Sequence, residues 1–213
     1  MNQYPLFAYL SLFSPILPIG AGLLRIIRIS RGMKILFYYL VVAFAADIFL
    51  MWFVRGHQLH LGLVHAYYLV EYLFIISVII VWQESHRIKR LFQLVFLLYI
   101  FFWIIAKLTF EPLNGLYSVT ASVSQVLLAL GAGYTLFIVI GNRMQSLVHD
   151  YRFWVLLSFV VYYAGTILNV ALRGILIHYS IEIFFIVSYL NWSLKIIFNV
   201  LFAIGFLCPQ TRA

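Results

Sequence analysis

The sequence predicts an all-α bundle of membrane-spanning helices, and three observations carry that prediction. Of 213 residues, 65% are hydrophobic and only 9% are charged, whereas a soluble domain is about half apolar and about a quarter charged. The mean hydropathy is +1.05. The apolar residues also gather into segments of roughly 17–25 residues, the length at which a helix crosses a bilayer. Seven such spans are expected, at about 4–24, 35–54, 61–82, 91–110, 115–140, 153–172 and 181–207. The gaps are short, and no linker, repeat or soluble domain interrupts them, so 1–213 reads as one seven-helix membrane domain.

Span 1 lacks the positive flank and small-residue cleavage site of a signal peptide and reads as a retained first helix. Pro15 and Pro18, with Gly20 and Gly22, predict a bend in it, as a hinge or a static kink. Span 2 carries Asp47, about two turns from its far end. Span 3 presents Tyr68, Glu71 and Tyr72 on one side, and span 4, "LFQLVFLLYIFFWIIAKLTF", is apolar nearly all round, which predicts the most lipid-exposed helix. In span 5, Ser118, Ser122, Gln125, Ala129 and Gly133 form a small and polar face that lets backbones approach. Spans 6 and 7 each carry a polar stripe: Ser158, Tyr162, Thr166 and Asn169, then Ser188, Asn191, Lys195 and Asn199. These stripes suit helix packing or a polar pocket.

Orientation follows from the basic residues. Ten of the fourteen Lys and Arg lie in the first, third and fifth gaps and the tail, for example Arg25, Arg28, Arg31, Arg87, Arg90 and Arg152. Only Arg55, Lys107 and Arg173 lie on the alternate side. The positive-inside rule then predicts an outer N-terminus and a cytoplasmic C-terminus, in a bacterial inner membrane. The net charge of +8 is thus a topology signal, not a nucleic-acid footprint. A single cysteine, Cys208, excludes an internal disulfide.

Three ionisable residues other than tyrosine lie well inside spans: Asp47, Glu71 and Lys195. Each costs roughly 2.5–3.5 kcal/mol at mid-helix, so each is expected to have a partner or a task. Glu71 lies ten residues, and Lys195 fourteen, from the outer ends of their spans; at ~1.5 Å per residue both fall in the central third of a ~30 Å core. The expectation is a polar cavity, with Asp47 near the level of Asn169 and His65, narrowing inward to a Glu71–Lys195 pair. That pair reads either as a buried salt bridge fixing helix register or as a ligand-binding or proton-relay site.

In "NWSLKIIF" the lysine stands four after Asn191, and in "YLVEYLF" Glu71 precedes Tyr72, Leu73 and Phe74. These two stretches resemble spans 7 and 3 of the microbial rhodopsins, and that resemblance implies retinal attached at Lys195 with Glu71 as counter-ion. Tyr68 stands where that family has an arginine, Asn191 where it has an aspartate, and the retinal-cage Trp-x-x-Tyr-Pro pattern is missing from span 6. In overall appearance the chain resembles small uncharacterised bacterial seven-span membrane proteins.

On the outer side, His57 and His60, and His178 with Glu182, have spacings that can present two metal ligands each. No HExxH, phosphate loop or nucleophile elbow occurs, so an enzyme is not expected. The functional expectation is a membrane receptor or sensor with an outward-facing pocket around Asp47, Tyr68, Glu71, Asn191 and Lys195. Such a sensor signals through a partner protein, engaged by the basic faces of the first and third inner gaps. A proton- or solute-coupled transporter using the same charges is the alternative.

Overall fold

The structure, a computed structural model, describes residues 6–55, 61–113, 119–142, 147–179 and 181–209, with the side chains of 53–55, 142, 168, 170–179, 181–182 and 184 left out of the description. Eight α-helices and no strand occur among the described residues. They are α1 (Leu6–Phe13), α2 (Ile16–Arg25), α3 (Arg31–Arg55), α4 (Leu61–Trp82), α5 (His86–Thr109), α6 (Val119–Asn142), α7 (Tyr151–Tyr179) and α8 (Ile181–Leu207), with a short 3-10 turn at Leu147–His149. By length and composition, six stretches can cross a membrane: Leu6–Arg25, Arg31–Trp52, Leu61–Trp82, His86–Thr109, Val119–Gly141 and Phe185–Leu207. α7 carries a shorter apolar stretch, Tyr151–Ile167, inside a helix of 29 residues.

The first rod is broken where the prolines predict. Pro15 has no N–H to give and stands at the N-cap of α2, while the Ser14 hydroxyl turns back to the Ser11 carbonyl at 2.7 Å. Asn199 of α8 donates to that same hydroxyl at 2.7 Å, so the break is latched to the last helix of the chain.

Side-chain ties identify the two ends. At one end, Arg25 donates to the Cys208 carbonyl at 2.9 Å, Arg152 faces Asp150 at 3.2 Å and Glu84 at 3.6 Å, and Trp82 lies against Gly32. This is the end that carries the arginine-rich gaps. Cys208 is buried there, and burial pushes its thiol above the ordinary range. At the other end, Lys107, His65, Glu111 and Thr120 join α4, α5 and α6.

The half nearer the arginine-rich end is solid. Phe159, Phe202, Phe206, Met33, Leu36 and Leu40 are fully buried there, and the Phe159 and Phe202 rings meet edge-on at 5.4 Å, a favoured aromatic geometry. α7 and α8 close tightly because Gly205 has no side chain; a Cβ there would lie 2.8 Å from Val155 Cγ2 and 3.3 Å from the Tyr151 carbonyl oxygen. α6 meets α7 through Gln125, which accepts from the Thr166 hydroxyl at 3.3 Å, as the polar face of the fifth span suggests. α5 buries only Tyr99 and Ala106 and turns Leu94, Leu97, Leu98 and Phe101 outward, the exposure expected of that helix.

Candidate functional site

The half of the bundle away from the arginine-rich end is hollow. A cavity of about 340 Å³ opens there between α1, α3, α4, α7 and α8, at the low end of the range for small-molecule sites. The prolines and Ser14 set α1 apart from α2, and Tyr9 and Ser11 of α1 form one wall. The C-terminal half of α3 supplies Asp47, Leu50 and Met51. The N-terminal half of α4 supplies Tyr67, Tyr68 and Glu71, one helical face at the i, i+1, i+4 spacing. Tyr162 of α7 and Asn191, Trp192 and Lys195 of α8 complete it. Beneath it a void of about 20 Å³ shares Asp47, Tyr67, Glu71, Tyr162 and Lys195 and reaches Asn199 and Pro15.

The charges pair differently from the sequence expectation. Lys195 Nζ donates to Asp47 Oδ2 at 2.6 Å, and that is its ion pair, not one with Glu71. Glu71 is held instead by two phenols on one oxygen: Tyr39 Oη donates to Oε1 at 2.9 Å and Tyr163 Oη at 3.1 Å. Oε2 has no protein partner among the described residues. Glu71 is 5% exposed, whereas the Lys195 and Asp47 side chains keep 23% and 17%, so the ion pair lies open to the cavity and Glu71 lies at its floor. The carboxylate facing Lys195 is therefore Asp47 on α3, where the rhodopsin resemblance implies Glu71 on α4.

Other expected residues divide. Tyr68 and Asn191 line the cavity. Asn199 lies one layer deeper, donating to the Lys195 carbonyl at 2.9 Å as well as to Ser14. Asn169 is not part of the wall. Tyr72, expected beside Tyr68 and Glu71, turns away and packs on Tyr99 at 3.9 Å between ring centres. His65 joins the cluster at the end of the bundle, where its Nδ1 is 3.0 Å from Lys107 Nζ and 3.4 Å from Glu111 Oε1. There Glu111 also pairs with Lys107 and accepts from the Thr120 backbone N–H at 2.9 Å.

His57 and His60, and the side chains of His178 and Glu182, lie outside the described residues. Among the described residues no three His, Cys, Asp or Glu side chains converge on a metal-sized site.

Sequence reasoning missed Tyr39 and Tyr163, the partners of Glu71, and Glu111. A usable signal existed for each. A buried mid-span tyrosine usually places its O–H on an acceptor, and a carboxylate four residues after a lysine marks a helix-end ion pair. Comparison with family models, with curated proteins and with solved structures returns no match.

Proposed function

We propose that the chain is a seven-span membrane receptor or sensor, with its N-terminus outside and its C-terminus in the cytoplasm, that captures a small polar ligand in the cavity around Asp47, Glu71 and Lys195. A helix of 29 residues is ~43 Å long, so α7 has the length for a seventh crossing. The Arg25–Cys208 contact puts the ends of the first and last rods together, consistent with an odd number of crossings. The cavity lies opposite the arginine-rich gaps, and the positive-inside rule makes that the outer side of a bacterial inner membrane.

One observation favours reception over transport: the hollow half ends on a packed half. Below Glu71 and Lys195 the bundle is filled by Phe198, Phe202, Phe206, Leu36, Leu40 and Ile76, so the route inward is closed by core. A receptor needs only the pocket, and passes occupancy to a partner at the basic end. The second reading, a transporter, rests on the ionisable groups at the base of the cavity, and it requires that aromatic core to part.

Two measurements test the reading. In lipid nanodiscs, a library of small charged and zwitterionic compounds should contain members that raise the melting temperature of wild type but not of Asn191→Trp, which fills the cavity. A library without one such compound would sink the pocket. Any compound found this way should not accumulate in proteoliposomes; accumulation driven by a proton gradient would establish transport instead. Retinal added to the protein should give no visible absorption band, and a band lost in Lys195→Ala would restore the rhodopsin reading.

A further inference from the structure

The chemistry of the cavity wall says which small molecules fit. Asp47 and Lys195 neutralise each other at 2.6 Å, so together they present no net charge to a ligand. No second basic side chain lines the cavity among the described residues. Glu71 remains, nineteen-twentieths buried, with Oε1 held by Tyr39 and Tyr163 and Oε2 unengaged. The three ionisable groups of the wall therefore leave one carboxyl without a counter-charge in an apolar setting, where its ionisation is costly until a cation stands beside it.

Five of the twelve other residues of the wall are aromatic. Tyr67, Tyr162 and Trp192 join Glu71 around the same space. Their ring faces are negative, and faces of this kind attract ammonium ions. An anion would meet a carboxyl and a lysine whose charge Asp47 already balances. A neutral molecule would bring Glu71 no counter-charge. An ammonium group satisfies both features at once.

From this juxtaposition we propose that the cavity binds a small organic cation, its ammonium group set against Glu71 and enclosed by Tyr67, Tyr162 and Trp192. The proposal rests on the pocket reading above and adds the class of ligand. The volume, about 340 Å³, suits a single small amine rather than a peptide.

The test uses the full chain in nanodiscs and matched probes: choline, tetramethylammonium and phenethylammonium, each beside its uncharged carbon analogue, and dimethylbutanoate as the anion. The ammonium ions should raise the melting temperature, and the carbon analogues should not. Glu71→Gln keeps an acceptor for both tyrosines while removing the charge, and should weaken ammonium binding by about tenfold or more. Trp192→Leu, at a partly exposed site, should weaken it less while leaving the unliganded melting temperature near that of wild type, so the proposal stays testable if Glu71→Gln folds badly. Equal binding of an ammonium ion and its carbon analogue, or binding of dimethylbutanoate dependent on Lys195, would overturn the cation class and leave the pocket standing. If none of the seven compounds binds wild type while the larger library yields a compound blocked by Asn191→Trp, the cation class falls alone. If that library also yields none, both readings fall.

Discussion

At the scale of single residues, the Asp47–Lys195 pair is the contact whose removal is most informative. Its groups meet at 2.6 Å with about a fifth of each side chain exposed, so neither is fully dehydrated. Removing one partner from a fully buried pair costs ~3–5 kcal/mol; the residual solvation here lowers the expectation to ~1–3 kcal/mol. Lys195→Met should therefore destabilise the bundle by that amount, and Asp47→Leu combined with it should recover most of the loss. Lys195→Met and Glu71→Gln share no hydrogen bond, so their effects should come closer to adding. Melting temperatures of the three single variants, the two double variants that contain Lys195→Met, and wild type check both statements. Coupling to Glu71 stronger than coupling to Asp47 would contradict the geometry. Glu71 ought instead to couple with Tyr39→Phe and Tyr163→Phe, because each phenol donates to the same carboxylate oxygen.

At the scale of elements, two glycines with opposite surroundings make a paired prediction. Gly205 lies where α8 meets α7, and a methyl there would press on Val155 and on the Tyr151 backbone carbonyl. The backbone cannot swing aside as a side chain can, so Gly205→Ala should cost ~1–3 kcal/mol, the usual penalty of overpacking. Gly20, within α2, has no neighbour within 4 Å of the same position. Gly20→Ala should stabilise by ~0.5–1 kcal/mol through helix propensity alone. Thermal denaturation in one detergent measures both; equal effects would mean that α7 and α8 do not close at Gly205. The break between α1 and α2 belongs to this scale too. It was readable from the two prolines, but its latch was not, because Asn199 reaches Ser14 from 185 residues away in sequence.

At the scale of the whole molecule, orientation is the property to measure. In a Cys208→Ser background, Leu113→Cys should react with a membrane-impermeant maleimide on intact spheroplasts, and Ser85→Cys only after permeabilisation. The reverse pattern would invert the bundle and place the cavity on the cytoplasmic side. Most of the architecture was legible from hydropathy, since apolar segments of spanning length announce their own ends. The charge partners were not, because depth was counted from the helix start. Lys195 lies fourteen residues into α8, and Asp47 eight residues before the end of α3. For the two to pair, α8 must run some six residues, about 9 Å, further past their shared level than α3 does. Sequence periodicity gives the face of a helix but not its overhang or its neighbour, and those two quantities decided which carboxylate Lys195 meets. The two phenols on Glu71 were hidden for a similar reason. They come from α3 and α7, and nothing in a single chain read in order says that those helices flank α4 at that level. That arrangement also bears on how such a protein can diversify. Because Glu71 ties three helices and the Asp47–Lys195 pair ties two, the charged groups of the cavity cannot be exchanged to suit a new occupant without loosening the scaffold. Ala8, Leu50, Met51 and Val64 line the same space and are apolar side chains that tie no helices by hydrogen bond or charge, so a lineage of such bundles can change its preferences there while the charged framework stays as it is.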